Sequence, residues 1–492
     1  MGSIAKLNEK EKVLVCQELR EAIGSNKVKD DENVLATYGF DSSRVLFQKP
    51  SFVVLPENTE DVKQVLKIAN RHIIPVTVMS GGVNIVGLCI PADGGIVLDL
   101  RRMDKIIEIN TDSGYAVIEP GVIFDKFTAA LAEKGFRCQV PTSPGGSTPL
   151  GNYLMRPSGS LTTRHLDPIL DLEVVSPNGI VMSTGSSHFP SAGGSMRYGP
   201  FPDLAGLFCC SYGTLGVVTK ATVRIYPINE SNRVVLAAFD SYESSSKYTK
   251  DIINHNICEH CLIWSWQLYR TYEITYSTDW VPEVPLELMG NPLKPPKGIP
   301  YNVVTTLMSG YEEAMIVNEK LCEKVARKYG GRIISRKEAE DIMPGALYQW
   351  EQHYLGYHQV MSKTFGTGRY MAYLVMAEPQ AICHLEPWAV KKLASLGVAP
   401  VGYYSMPFDF GRSMFFRMFI YPDPQNEELL SKTAATLEEM HQEAMRRYGA
   451  IPFRYRPGLP WLKQTGEYYH FLKKVKQEVD PNNVLNPHLG LF

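Results

Sequence analysis

The sequence predicts an α+β protein of two or three domains, and three observations carry that expectation. The chain has 492 residues, more than a single hydrophobic core usually serves. From Ser51 to Pro227 short β-rich runs alternate with turns and helical stretches. After Pro227 the rhythm changes to longer apolar runs, amphipathic helices and aromatic clusters.

The elements follow in order. The opening segment MGSIAKLNEKEKVLVCQELREAIG mixes charged and apolar residues at helical spacing, so it is expected to form an amphipathic helix and not a secretory signal. SFVVLP reads as a strand. TEDVKQVLKIANRH reads as a helix capped at Thr59, with Val62, Val65, Leu66 and Ile68 on one face. IPVTVMSGG, GGIVLDL, YAVIEPG, LDLEVVSPNG and GVVTKATVRIYP are further strands, which we expect in a mixed sheet. Beyond Pro227, MGNPLKPPKGIPYN is rich in Pro and Gly and reads as a surface loop. Near the end, Tyr468, Phe471, Leu472 and Val475 mark a helix that stops at a DPNN turn. These changes place boundaries near 1–228, 229–451 and 452–492.

Composition narrows the function classes. A formal net charge of -2, with 21% charged residues, gives no general attraction to nucleic acid or to an anionic membrane. No apolar run reaches the length of about 18 residues needed to span a bilayer. The 9 cysteines are an odd number without a framework, which suits a reducing, cytoplasmic setting. Cys258 and Cys261 form a CxxC around His260, but a second matched pair is missing. His353 and His358 are five apart, not i, i+4. We therefore expect no metal site.

Nucleotide binding has to be sought outside the common fingerprints, because neither GxGxxG after a strand nor GxxxxGK[ST] occurs. Three other glycine-rich loops stand in order. MSGGVNIVG, residues 79–87, follows a strand and offers backbone N–H groups that can approach a pyrophosphate. PGGSTPLGN, residues 144–152, is the second, and YGTLGVVTKATV, with Gly213 and Gly216, is the third.

Together the three loops, with the terminal DPNNVLNP, closely resemble the FAD-binding domain of the vanillyl-alcohol oxidase / p-cresol methylhydroxylase (PCMH) family, which also includes glycolate-oxidase-type flavoproteins. The resemblance covers roughly Ser51 to Pro227 and the C-terminal turn. It implies a PCMH-type FAD-binding domain of two α/β subdomains, an α+β substrate cap over 229–451, and a return of 452–492 to the FAD-binding part. By position it assigns cofactor contacts to Ser80, Gly81, Gly82, Val83, Asn84, Pro144, Gly145, Gly146, Ser147, Gly151, Asn152, Gly216, Val217 and Val218.

Two positions bear on how the flavin is held. Relatives with a histidine link in the first loop carry SGGH where this chain has Ser80-Gly81-Gly82-Val83. A cap histidine would fall at Phe415 or Phe416 in GRSMFFRMFIY. A tyrosyl link through Tyr370 or another cap tyrosine stays open, and non-covalent FAD is the expectation.

The resemblance also implies a substrate site. Tyr455 and Arg456, in YRPGLPWLKQ, match a Tyr-Arg pair that binds a phenolate. A guanidinium and a phenolic O–H would stabilise the deprotonated form. Arg454 could serve instead if the alignment slips. The family's acidic residue falls at Thr142, and its second phenolate-binding tyrosine near Gly87-Leu88, so the phenol-activating set is incomplete. WSWQLYRTYEITY and YQWEQHYLGYHQVM, the latter with Tyr354 and Tyr357, could wall an aromatic pocket.

The expected activity is oxidation of a phenolic or anionic aromatic small molecule by hydride transfer to FAD N5, in a homo-oligomer. Electrons would then pass to oxygen or to an acceptor protein. The alternatives are a 2-hydroxy-acid dehydrogenase, although its usual cap metal segment is missing, an FAD-carrying electron-transfer subunit of a larger complex, and a sugar-nucleotide reductase.

Overall fold

The computed structural model describes residues 7–41, 48–83, 87–141, 143–156, 159, 167–189, 191–268, 293–342, 371–397, 402–420, 422, 425–454 and 460–490. The opening helix runs Glu9–Ile23, where Asn8 and Glu11 form a reciprocal capping box. Its apolar side, Val15, Leu19 and Ile23, is buried. The helix Thr59–His72 is capped one residue earlier than expected, by Asn58, whose side chain accepts from the Asp61 N–H. Asparagine fills this role because a short side chain in extended backbone reaches the first unpaired amides.

The strands up to Arg224 lie in two main sheets and not in one, with Phe136–Arg137 apart from both, paired with Tyr226–Pro227. The first has the spatial order Val28–Lys29, Phe52–Val54, Ile96–Asp99, Val76–Met79. Its last three strands are parallel, and the edge strand is antiparallel. The helix Thr59–His72 makes the crossover between parallel strands and buries Val62, Val65, Leu66, Ile68 and Ala69 in the shared core. The second sheet is antiparallel, in the order Ile106–Asn110, Tyr115–Ile118, Val217–Arg224, Ile169–Val175, Val181–Ser183.

From Ser231 the chain builds an eight-stranded antiparallel sheet. Its order is Arg332–Ile333, Ser231–Phe239, Asn302–Gly310, His260–Ser265, Gly402–Phe408, Ser413–Ile420, Met371–Ala377, Ile451–Pro452. One face packs under the helices Tyr242–Asn254, Glu312–Lys328, Pro379–Ala394 and Glu427–Tyr448. The two-residue alternation of a strand separates the faces. In Ser413–Ile420, Met414, Phe416, Met418 and Ile420 join the helix-covered core, whereas Phe415 and Phe419 join a second cluster on the opposite face.

The last described residues lead back to the first sheet. The Val76 N–H donates to the Val484 carbonyl at 2.7 Å, and the Asn486 N–H donates to the Val76 carbonyl at 2.9 Å. Asp480, fully buried, accepts from the N–H groups of Val484 at 3.0 Å and Leu485 at 2.9 Å. The helix Glu467–Val479 forms, yet its expected apolar side is only half covered: Val475 packs against the core of the second sheet, whereas Tyr468 and Phe471 are 61% and 63% exposed. It is held instead by Lys476, which donates to the Thr214 and Leu485 carbonyls and pairs with Asp480.

Candidate flavin and substrate site

The first glycine loop begins where the strand Val76–Met79 ends. Ser80 Oγ donates to the Pro120 carbonyl and shares a hydrogen bond with Thr148 Oγ1, both at 2.7 Å. That pairing pins the loop to the start of the second one. A methyl at Gly81 would come within 2.9 Å of Thr148 Cγ2, and Gly82 has φ 71°. Glycine is required at the first for proximity and at the second for its left-handed backbone. The N–H groups of Gly81, Gly82 and Val83 reach no acceptor among the described residues, and Gly82 and Val83 are exposed. Three successive free amides suit an anion. Asn84 lies outside the described residues.

The second loop turns back on itself. Ser147 Oγ and N–H both donate to the Pro144 carbonyl, at 2.7 and 2.9 Å. The N–H groups of Phe124 and Asp125 take up the Ser147 and Gly145 carbonyls, which seats the loop on the start of the helix Phe124–Ala132. A methyl at Gly145 would overlap the Asp125 carboxyl, whereas Gly146 faces open space. Gly151 packs against Thr148 Oγ1 and Ser80, and Asn152 Nδ2 donates to the Thr148 carbonyl at 3.0 Å. Thus the first two loops, 64 positions apart at Ser80 and Pro144, share one junction at Ser80, Thr148 and Gly151.

The third loop is fixed by the C-terminal turn. Asn486 accepts from the Val78 N–H at 3.0 Å and donates to the Tyr212 carbonyl at 2.7 Å. Gly213, with φ 70°, passes so close that an added methyl would sit 2.8 Å from Asn486 Nδ2. Gly216 is different: a methyl there would meet Val174 Cγ1 at 2.5 Å, so this glycine serves sheet packing. Val217 and Val218 point into two apolar cores. Their backbone pairs with Val175 and Val174 on one side, while on the other the strand Tyr115–Ile118 begins to pair only at Ala221, so a ligand here would meet backbone and not side chain.

The aromatic face of the large sheet is tied to the end of the second loop through Arg454. The rings of Phe415 and Phe453 are 4.4 Å apart, and those of Phe408 and Phe415 are stacked at 5.7 Å. Phe415 is therefore the residue on this side, and Phe416 is turned into the helix-covered core. Arg417 projects between the rings, 4.6 Å from the Phe419 centroid, and donates to the Tyr404 hydroxyl at 3.2 Å. Arg454 lies over the Phe453 ring at 4.4 Å and donates to the carbonyls of Met155 and Arg156. Those carbonyls immediately follow the helix Pro149–Tyr153 of the second loop. Burial pulls the Arg454 guanidinium below its usual range, and the nearby charge of Arg417 adds to this. Three non-glycine residues at this junction, Arg156, Cys210 and Tyr212, hold positive φ of 51°, 57° and 53°, which stores strain beside the site.

Sequence reasoning brought Ser80, Gly81, Gly82, Val83, Pro144, Gly145, Gly146, Ser147, Gly151 and Asn152 into one neighbourhood, and it also selected Arg454. Tyr455, Arg456, Thr142, Tyr354 and Tyr357 fall outside the described residues, as do Tyr370, His353 and His358. Arg417 and Tyr404 were not anticipated. The available signal was an arginine interrupting the apolar run MFFRMFI. Among the described residues no three His, Cys, Asp or Glu side chains are grouped to hold a metal, and no helix is long and apolar enough to cross a membrane.

Comparison with known proteins agrees with this geometry. The model of an FAD binding domain matches residues 50–185. The chain is 31% identical over 246 residues to glycolate oxidase subunit GlcD of Bacillus subtilis, covering 49% of this chain and 50% of that protein. It thus spans about half the length of that curated relative. A crystal structure of p-cresol methylhydroxylase with substrate bound superposes with a TM-score of 0.83 at 22% identity, covering 99% of this chain and 98% of that one. A 4-ethylphenol oxidase from Gulosibacter chungangensis, in complex with isoeugenol, gives 0.83 at 19% identity over 99% and 98%. The open amides of the first loop, the unfilled space at Gly146 and the converging glycines fit FAD; the chain carries an FAD binding domain over residues 50–185 and has the fold of p-cresol methylhydroxylase.

Proposed function

We propose that the chain is an FAD-dependent oxidoreductase acting on a small aromatic substrate held as an anion. One observation carries the reading: the aromatic face of the cap sheet, bearing Arg417, is fastened by Arg454 to the carbonyls that follow the second flavin loop. Apolar rings exclude water and orient a planar substrate, while fixed guanidinium groups stabilise negative charge in a site of low dielectric. When bound, FAD supplies a two-electron acceptor.

The chain's own groups then have distinct roles. The amides of Gly81, Gly82 and Val83 receive the pyrophosphate. Phe408, Phe415 and Phe453 wall the ring pocket. Tyr455 and Arg456 hold the substrate oxygen as its anion, by their resemblance to a phenolate-binding pair. With Phe415 on the flavin side of its strand and Val83 in the first loop, neither position offers a histidine for covalent attachment, which favours non-covalent FAD.

Anaerobic mixing of the holoprotein with 4-alkylphenols, hydroxybenzyl alcohols, glycolate and D-lactate tests the reading. Bleaching of the flavin by the aromatic set supports it; bleaching by the hydroxy acids alone overturns it. Arg456→Ala is expected to keep FAD and lose turnover. A second reading, oxidation of a 2-hydroxy acid, is favoured by the similarity to the glycolate oxidase subunit. If only a partner protein reduces or oxidises the flavin, an electron-transfer subunit is the better description.

A further inference from the structure

The ends of the three glycine loops meet in one place. Leu88 follows the first loop, Met155 follows the helix of the second, and Tyr212 opens the third; all three pack in one apolar cluster with Leu489 and Trp461. Arg454 fastens the cap face here, through the Met155 carbonyl and the Phe453 ring. Two polar atoms at this cluster are left over. Nδ1 of His488 and Nε1 of Trp461 are buried and reach no hydrogen-bond partner among the described residues. Folded chains rarely bury polar atoms in this way, and orphans beside a cofactor site point to a group that completes them.

The two orphans differ in kind. The indole N–H of Trp461 can only donate. His488 Nε2 lies 3.4 Å from the Leu88 carbonyl, which can only accept, so the proton sits on Nε2. Burial holds the imidazole below its usual range, which keeps it neutral with a single N–H. Nδ1 is then a bare acceptor. The group that completes the pair therefore offers an N–H or O–H donor together with an acceptor. Pyrophosphate carries acceptors alone and does not satisfy His488.

We infer that His488 and Trp461 hold the pyrimidine edge of the flavin ring, His488 Nδ1 accepting from the flavin N3–H and Trp461 Nε1–H donating to a neighbouring ring carbonyl. Adenine also carries a donor beside an acceptor. This cluster, however, lies where the cap is fastened, and a substrate held by the cap must meet the ring that takes its electrons. The inference rests on FAD as the cofactor and not on which substrate is oxidised. It assigns cofactor recognition to two residues outside the glycine loops.

The test reconstitutes the full-length apoprotein and follows flavin fluorescence with FAD, with N3-methyl-FAD, which has no N3 proton, and with an FAD whose adenine edge is blocked by an etheno bridge. Wild type should bind N3-methyl-FAD about tenfold more weakly than FAD, the loss of one buried hydrogen bond, and the etheno analogue within about twofold of FAD. His488→Leu should weaken FAD about tenfold and bring FAD and N3-methyl-FAD within about twofold of each other, because the acceptor that distinguishes them is gone. His488→Asn, which keeps an acceptor near the Nδ1 position, should restore part of the preference, and it serves if the leucine variant does not fold. Trp461→Phe should weaken both flavins alike and leave the preference intact. A purely structural role would not separate these ratios. Equal affinity for FAD and N3-methyl-FAD in wild type, or an unchanged preference in His488→Leu, overturns the inference while FAD stays the cofactor. Discrimination against the etheno analogue that His488→Leu abolishes puts the pair at the adenine and likewise overturns it. Binding of none of the three by wild type overturns the FAD reading itself.

Discussion

Arg137 and Glu259 face each other across the boundary between the flavin-binding part and the cap, through two hydrogen bonds of 2.5 and 2.9 Å. Both side chains are buried, at 4% and 5% exposure. Arg137 also donates to the Pro227 carbonyl, at the end of the flavin-binding strands, and Ser309 of the cap sheet donates to Glu259. Removing one partner leaves a buried charge, so Arg137→Met is expected to cost about 3–5 kcal/mol, with Arg137→Met/Glu259→Gln recovering part of it. Denaturant unfolding of the three proteins checks this. A single-variant loss below about 0.5 kcal/mol would mean that the pair does not hold the cap.

The second flavin loop can be tested at a position where the protein itself is indifferent. A methyl at Gly146 meets nothing within 4 Å. Gly146→Ala should therefore leave the stability of the apoprotein within about 0.5 kcal/mol. It should still weaken FAD by about tenfold or more if the cofactor fills that space. FAD per chain after purification, and reconstitution of apoprotein, measure it; full retention of FAD would move the cofactor away from this loop.

The C-terminal turn depends on Asp480. Its carboxylate takes the N–H groups of Val484 and Leu485 and pairs with buried Lys476. Asp480→Ala is expected to cost about 3–5 kcal/mol, because Lys476 is then stranded in a desolvated place. Hydrogen exchange should rise at Val76, Val78 and Val484 through Asn486 before it rises in the cap. A uniform increase over the whole chain would contradict this local role.

Glu386 gives the cap a pH dependence. Burial pushes its carboxyl up to about 7, against a smaller downward pull from the hydroxyls of Tyr301 and Tyr403. Its folded pKa is above the unfolded one, so between about pH 4.5 and 7 the unfolded chain releases the proton while the folded chain keeps it. This group's contribution therefore falls as pH rises through that window, by about 3 kcal/mol in all. Glu386→Gln should be more stable than wild type at pH 8 and similar at pH 4. Thermal unfolding at both pH values measures the difference; parallel wild-type and variant curves would remove Glu386 as the cause.

Local chemistry in the sequence decided the helices Glu9–Ile23 and Thr59–His72 and the three glycine loops. Caps, 3.6-residue spacing and turn glycines act within a few residues, so they are legible without a partner. The same reasoning marked Tyr468 and Phe471 as an apolar helix side, although tertiary packing leaves them exposed. Periodicity records which residues share a side and not what covers it.

By itself the sequence determined that this chain has ordered flavin-type loops and an aromatic-rich second domain. Only the tertiary structure decided that Ser80 meets Thr148, that Asn486 closes Gly213 and Val78, and that Arg417 and Arg454 share one junction. Those pairs lie far apart in the chain, and no local propensity encodes them. They arise because strand alternation chooses a face for each side chain and the folded chain brings the faces together, where burial fixes how strongly the charges act.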